Sequence, residues 1–274
     1  MSACAPLRGI AAIAILQATA FVSSPTFASL VIGAVDIPVT QSFNGLTTSS
    51  SLPSLNSGGW RTWTTFDPPT FAGGVVSPTL TLQTTTLNAF SGSGTYSFRD
   101  GATTDRALGF IFSTNLPRNI MVEIKNNTST VLGSLTASWN LEKYRNGPSP
   151  MTVSFYHSSD GVNWLSGAGS LSYSGIDNFD GTSSPVSTPQ NATLSGLNIA
   201  SGAFHYLRWE FLRTGGTDQT PVVGLDDFSI TGATHLPEAS SWFAAAIFAG
   251  TALLQARFRR RSLAGGRPPV ESGT

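Results

Sequence analysis

The sequence predicts an all-β domain, a two-sheet jelly-roll-like sandwich, and three observations carry that expectation. From Ser29 to about Thr234 no helical period occurs; alternating apolar and polar residues recur instead, broken by turn residues. Charged residues are only 11% of the chain while Gly, Ser and Thr dominate its polar positions. That composition suits exported β-domains better than helical cytoplasmic enzymes. Finally, strand-length segments follow one another with no helix between them, which leaves sheet-on-sheet packing as the way to bury their apolar faces. No internal repeat stands out, which argues against a propeller or solenoid.

Taken in order, the strand segments are "ALGFIFST" (107–114), "NIMVEIKN" (119–126), "VLGSLTASWNLEKY" (131–144), "MTVSFYHS" (151–158), "HYLRWEFLR" (205–213) and "VVGLDDFSI" (222–230). Each is rich in β-branched and aromatic residues at alternate positions. In "SSDGVNW" the Asp160-Gly161 dipeptide tolerates the positive φ angles of a tight hairpin turn. The Ser/Gly/Pro-rich stretch from Gly167 to Pro189 reads as a long surface loop.

Ahead of the domain, residues 1–28 read as a secretory signal peptide. Arg8 supplies the basic start, Gly9 to Val22 the apolar run, and small residues follow up to Ala28, the preferred cleavage point, with Ala20 as the alternative. The run is short for a bilayer span. The single cysteine, Cys4, precedes it, so the mature chain is expected to lack disulfides and thiolate metal sites. Between Ser29 and His235 nine Lys/Arg stand against thirteen Asp/Glu, a net charge of −4. A mildly acidic domain without a basic stripe does not suit nucleic acid.

Strand alternation sorts the side chains of the last strand. It predicts Asp226, Phe228 and Ile230 on one face, and Leu225, Asp227 and Ser229 on the other. The apolar pair marks the first face as core, so Asp226 is expected at the edge of an apolar layer, where a carboxylate needs a partner. Three readings stay open: a hydrogen-bonded structural aspartate, an ion pair with Arg106, or a Ca²⁺ ion held by carboxylates and main-chain carbonyls. In "HYLRWEFLR" the residues Leu207, Trp209 and Phe211 are core, while Arg208 and Glu210 read as a solvated charge cluster of little energetic weight. The functional alternative is a sheet face on which Tyr206 and Arg208 stack on sugars, with Trp60, Trp63, Trp139 and Trp164 as further aromatic platforms.

No catalytic signature emerges. His157, His205 and His235 lack metalloprotease spacing, and neither a nucleophile elbow nor a phosphate-binding loop occurs. Glu123, Glu142 and Glu210 are the scarce glutamates a glycosidase would need, but each sits in ordinary alternation and reads as surface charge. The expectation is a non-enzymatic protein.

Several segments together carry a family resemblance: "SFNGL", "GTYSFRDGATTDRALGF", "IKNNTSTVLGSLTASWNLEKYRNG" and "HYLRWEFLRTGGTDQTPVVGLDDFSIT". In this order they resemble a bacterial exported β-sandwich domain common in proteins with PEP-CTERM tails, over roughly residues 41 to 232. The resemblance implies the fold and no activity. The closing motif also resembles MAM and carbohydrate-binding jelly-roll domains, which implies a structural Ca²⁺ near Asp226.

After Thr234 the composition changes. Leu236-Pro237-Glu238-Ala239 forms an acidic turn, and Trp242 to Leu254 is apolar or small apart from Thr251. Arg257, Arg259, Arg260 and Arg261 then read as a basic stop cluster at the expected cytoplasmic end of a short transmembrane helix. Turn, helix and arginines resemble the PEP-CTERM sorting signal processed by exosortases. Ala239 in place of a second proline, and the extra residues 263–274, depart from that pattern; an ordinary single-pass anchor is the alternative. The expected organisation is therefore a signal peptide (1–28), a β-sandwich ectodomain (29–234), a sorting or anchor segment (235–262) and a disordered tail (263–274). The expected function is that of an exported cell-surface or extracellular-matrix protein, delivered by an exosortase-type enzyme and binding extracellular polysaccharide, with no cofactor unless Ca²⁺. A surface-tethered glycan hydrolase or lyase is the alternative.

Overall fold

The computed structural model describes residues 29–46, 59–64, 69–75, 80–82, 94–100, 103–112, 115–145, 147–167, 170–173, 185–216 and 220–234. The expectations placed on the signal segment and on the tail, from Ala28 back and from Leu236 onward, lie outside these residues. Within them there are strands and turns and no helix, arranged as two seven-stranded sheets.

The first sheet runs in the order β1 (Leu30–Ile32), β7 (Arg118–Asn126), β13 (Phe204–Arg213), β9 (Met151–Ser158), β10 (Leu165–Ser166). Strand β3 (Trp60–Trp63) shares the β7 edge and β11 (Leu171–Tyr173) the β9 edge. The second sheet runs β12 (Val186–Ile199), β8 (Leu132–Arg145), β14 (Val222–Thr234), β6 (Arg106–Ile111), β5 (Gly94–Arg99), β4 (Leu80–Leu82), with β2 (Val39–Gln41) on β14. Apart from the parallel pairs β1–β7 and β4–β5, neighbours are antiparallel. The jelly-roll-like sandwich expected from the sequence is the fold observed. Within the expected 167–189 loop, however, β11 and the first residues of β12 form, because each finds a strand edge to pair with, at β9 and at β8.

Alternate residues of both sheets interleave in one aromatic core. Trp209 of the first sheet stacks on Trp60 at 5.8 Å and meets Phe228 of the second sheet edge-on at 5.4 Å. Trp139 of β8 closes the same cluster against Trp209 at 5.5 Å and Phe155 at 4.8 Å. Trp60 and Trp139 are thus core residues and not the ligand platforms the sequence allowed. Edge-to-face rings of this kind add to the large apolar area each buries.

Strand β14 departs from simple alternation. Its pairing with β8 steps from Asp226↔Asn140 to Ser229↔Ser138, three residues advancing against two, which is a β-bulge. Asp227 takes the extra step with φ +48°, a left-handed conformation that Asp tolerates better than most residues. The bulge flips the alternation, so Val223, Leu225, Phe228 and Ile230 all reach the core. Asp226 turns to the outer face of the second sheet, away from Phe228 and Ile230. That corrects the face assignment read from the sequence.

Candidate functional site

The outer face of the first sheet is built from the residues between core positions. Antiparallel register places Trp63, Asn119, Glu210 and Ser154 in one row, Arg61, Met121, Arg208 and Tyr156 in the next, and Gly59, Glu123, Tyr206 and Ser158 in a third. At its centre the Arg208 guanidinium donates to Asn119 Oδ1 at 3.1 Å and pairs with Glu210 Oε2 at 3.2 Å. It lies over the Tyr156 ring at 4.0 Å and near the Trp164 ring at 5.1 Å. Arg208 is buried, so this is no solvated surface pair, and the earlier reading of Arg208 and Glu210 is corrected. Two aromatic planes shield the guanidinium from water, which strengthens its pairing over that of an open one. The Tyr156 hydroxyl is pushed up by burial and by the Glu210 carboxylate it faces.

Loops set the border of this face. Asp160 accepts hydrogen bonds from the Val162 and Asn163 amides and from the Asn163 side chain, which holds its carboxyl far below the usual range. The turn so fixed, with Gly161 at φ +71°, is the hairpin expected between β9 and β10, and it presents Trp164. Trp164 Nε1 donates to Pro69 O at 2.6 Å, and the Phe71 amide donates to Gly161 O at 2.7 Å. These bonds draw the 69–75 segment across one side of the face. Phe71 packs on Tyr206 at 4.9 Å between ring centroids, and the Arg61 guanidinium lies over the Phe71 ring at 4.3 Å while donating to Phe71 O and Ala72 O. Tyr206 is therefore roofed by Phe71, and burial with the neighbouring Glu123 carboxylate pushes it up to about 12. On the face expected from Tyr206 and Arg208, Arg208 is buried and Tyr206 packs against Phe71, while Tyr156, Trp164, Glu210, Trp63 and Tyr206 itself are partly exposed. Phe71 carries no sequence signal for this role, since it lies in a loop and acts only through contacts distant in the chain.

On the opposite outer face lies the other group of candidates. Arg106 does not meet Asp226: it points to the core side of β6 and donates to Ser97 O and Oγ. Asp226 instead stands with Asp105 and Glu142, one carboxylate oxygen from each lying within 4.8 Å of the others. Glu142 is buried and accepts from the Tyr144 hydroxyl at 2.5 Å, so its reading as surface charge is corrected too. Burial pushes the Asp226 carboxyl up to about 8, reinforced by the charges of Glu142, Asp227 and Asp105, and burial likewise raises Glu142. An all-oxygen, acidic donor set of this span fits a hard divalent cation, so the residues present suit the Ca²⁺ expected near Asp226. The three glutamates do not form a catalytic pair with one another. Glu142 is on one outer face and Glu123 and Glu210 on the other, where four residues of strand, about 13 Å, separate them. Glycosidase carboxylates stand about 5 to 9.5 Å apart.

No family model matches the chain, and no curated protein does. Among solved structures it is similar to the xylan-binding domain CBM22-1 of Paenibacillus barcinonensis Xyn10C, at 13% identity and a TM-score of 0.39, over 75% of this chain and 99% of that one. TmCBM61, solved in complex with β-1,4-galactotriose, matches at 12% identity and a TM-score of 0.36, over 70% of this chain and 99% of that one. The K3 cleaved adhesin domain of Lys-gingipain from Porphyromonas gingivalis matches at 15% identity and a TM-score of 0.40, over 70% and 98%. Likeness at this level concerns the general sandwich architecture.

Proposed function

We propose that this chain is an exported, non-enzymatic cell-surface or extracellular-matrix protein whose first sheet binds extracellular polysaccharide on its outer face. The observation that carries the reading is the constellation of Tyr156 and Trp164, both partly exposed, flanking the Arg208–Glu210 pair. Sugar rings present apolar C–H faces and hydroxyl edges together. An aromatic plane beside fixed charged donors and acceptors complements both, at little ordering cost because the guanidinium is already clamped. For delivery, the resemblance of the segment from Leu236 to Arg261 to a PEP-CTERM signal supports exosortase-type sorting after export.

The test is a polysaccharide panel in affinity electrophoresis with the full chain, Trp164→Ala and Tyr156→Ala. Retardation by at least one polysaccharide is expected, weakened about tenfold or more by either substitution. No retardation by any polymer, or retardation indifferent to both substitutions, would refute the site. For the tail, the mass of the C-terminus recovered from the native host decides. A new terminus between Leu236 and Ala239, found outside the inner membrane, is expected; an intact Thr274 in the inner-membrane fraction means a plain anchor.

A further inference from the structure

The acidic group lies on the outer face of the second sheet, on the side of the sandwich away from Tyr156 and Trp164. The strand order β8-β14-β6 puts Glu142, Asp226 and Asp105 on three adjacent strands, Asp105 immediately before β6 begins. Asp226 is fully buried and Glu142 is 6% exposed. Acidic side chains gathered on a surface need no explanation, but these are withdrawn from water. A second observation concerns one atom. Asp226 Oδ1 accepts the Asp227 amide at 2.7 Å, whereas Oδ2 is buried with no hydrogen-bond partner at all. A buried carboxylate oxygen without a partner forfeits its hydration with nothing in return, so its retention needs a compensating group.

Geometry narrows what that group is. Two Ca²⁺–oxygen bonds of about 2.4 Å span at most about 4.8 Å, the limit within which the three oxygens lie. The donors are hard oxygens without nitrogen or sulfur, which disfavours zinc and copper. Two of the three carboxylates are also held in place. The Tyr144 hydroxyl fixes Glu142 Oε2, and the bulged backbone of Asp227 fixes Asp226 Oδ1. Such outer contacts orient metal ligands and leave the remaining oxygen of Asp226 for the ion.

We propose that Asp105, Glu142 and Asp226 form a divalent-cation site, suited to Ca²⁺, that ties β6, β14 and β8 together, with Tyr144 and the Asp227 amide positioning its ligands. The bulge at Asp227 is then part of the site, since without it Asp226 faces the core. The cation acts as a cross-strand clamp in a chain expected to have no disulfide once processed.

The test uses the full chain stripped with EDTA and titrated with Tb³⁺, whose emission is sensitised by tyrosine; Tyr144 touches one ligand. Sensitised emission that Ca²⁺ displaces is expected, together with a melting temperature roughly 4 °C or more higher in millimolar Ca²⁺ than in EDTA. Asp226→Asn and Glu142→Gln are expected to lose both responses. Should either variant fail to fold, Asp105→Asn, at the rim, carries the same test. Absence of Tb³⁺ emission and of a Ca²⁺ shift in the parent chain overturns the proposal, as does a Ca²⁺ response retained by the folded variants.

Discussion

His157 Nδ1 and His205 Nε2 stand 3.2 Å apart, with the two rings nearly stacked at 29°. One ring must donate and the other accept, so the pair is compatible with at most one added proton. His205 is buried, and desolvation with the neighbouring His157 brings it down to about 4; burial also lowers His157. His205 stays neutral in the fold down to about pH 4, whereas in the unfolded chain it takes up a proton below its ordinary value of 6.5. Its contribution is fully present above about pH 6.5 and is lost as pH falls toward 4, and the lowering of His157 acts in the same direction. For His205 the loss amounts to roughly 3 kcal/mol. Melting temperature measured from pH 7 to pH 4 is expected to fall more steeply in the parent chain than in His205→Gln; equal slopes would show that the pair does not titrate with folding.

Trp209 and Trp164 look alike in sequence but do different work. Trp209→Ala is expected to destabilise by about 3–5 kcal/mol, because it empties the centre of the aromatic core. Trp164→Ala is expected to cost far less, since Trp164 is partly exposed and bonded to one loop carbonyl. Chemical denaturation of both variants separates the two roles.

Asp227 carries the bulge at φ +48°. Asp227→Val is expected to destabilise by about 1–2 kcal/mol, since a β-branched side chain resists the left-handed region. Asp227→Gly is expected to be much milder, its main loss being the hydrogen bond from Asn140 Nδ2. A valine variant as stable as the glycine one, by urea unfolding, would remove the strain assigned to this position.

Gly109 faces Gly224 across β6 and β14, with Phe98 lying over both. A Cβ at Gly109 would meet Val223 O at 2.3 Å and the Phe98 ring at 2.6 Å. Gly109→Ala is therefore expected to cost about 1–3 kcal/mol or more, through displaced backbone. Thermal melting of this variant checks it, and an unchanged midpoint would mean that the two strands can part without penalty.

The long strands were legible because period-2 alternation is a local property. "MTVSFYHS" is β9 residue for residue, and Leu207, Trp209 and Phe211 reach the core as alternation requires. The short strands β1 to β4 and the long edge strand β12 were not: polar residues predominate in β2 and β12, β1, β3 and β4 span only three or four residues each, and pairing, not pattern, makes them strands. The candidate sites were read in part. Asp226, Glu210, Arg208 and Trp164 were singled out by residue type, yet their partners lie far off in the chain: Asn119 is 89 residues from Arg208, and Pro69 is 95 from Trp164.

By itself, then, the sequence determined the class of fold, the strands with a full apolar face and the core aromatics Trp209, Phe211 and Phe228 within them, since each follows from neighbours two residues apart; that Trp60 and Trp139 join this core was decided by the packing. Only the tertiary structure decided which carboxylates meet. One extra residue at Asp227 reverses the side every later residue takes, and a bulge is fixed by the register of the paired strand β8, which local alternation does not encode. The same holds for the roof over Tyr206. Phe71 reaches it because Arg61, Gly161 and Trp164 each hold the 69–75 segment by main-chain carbonyls or amides, contacts that exist only once the two sheet edges are in place.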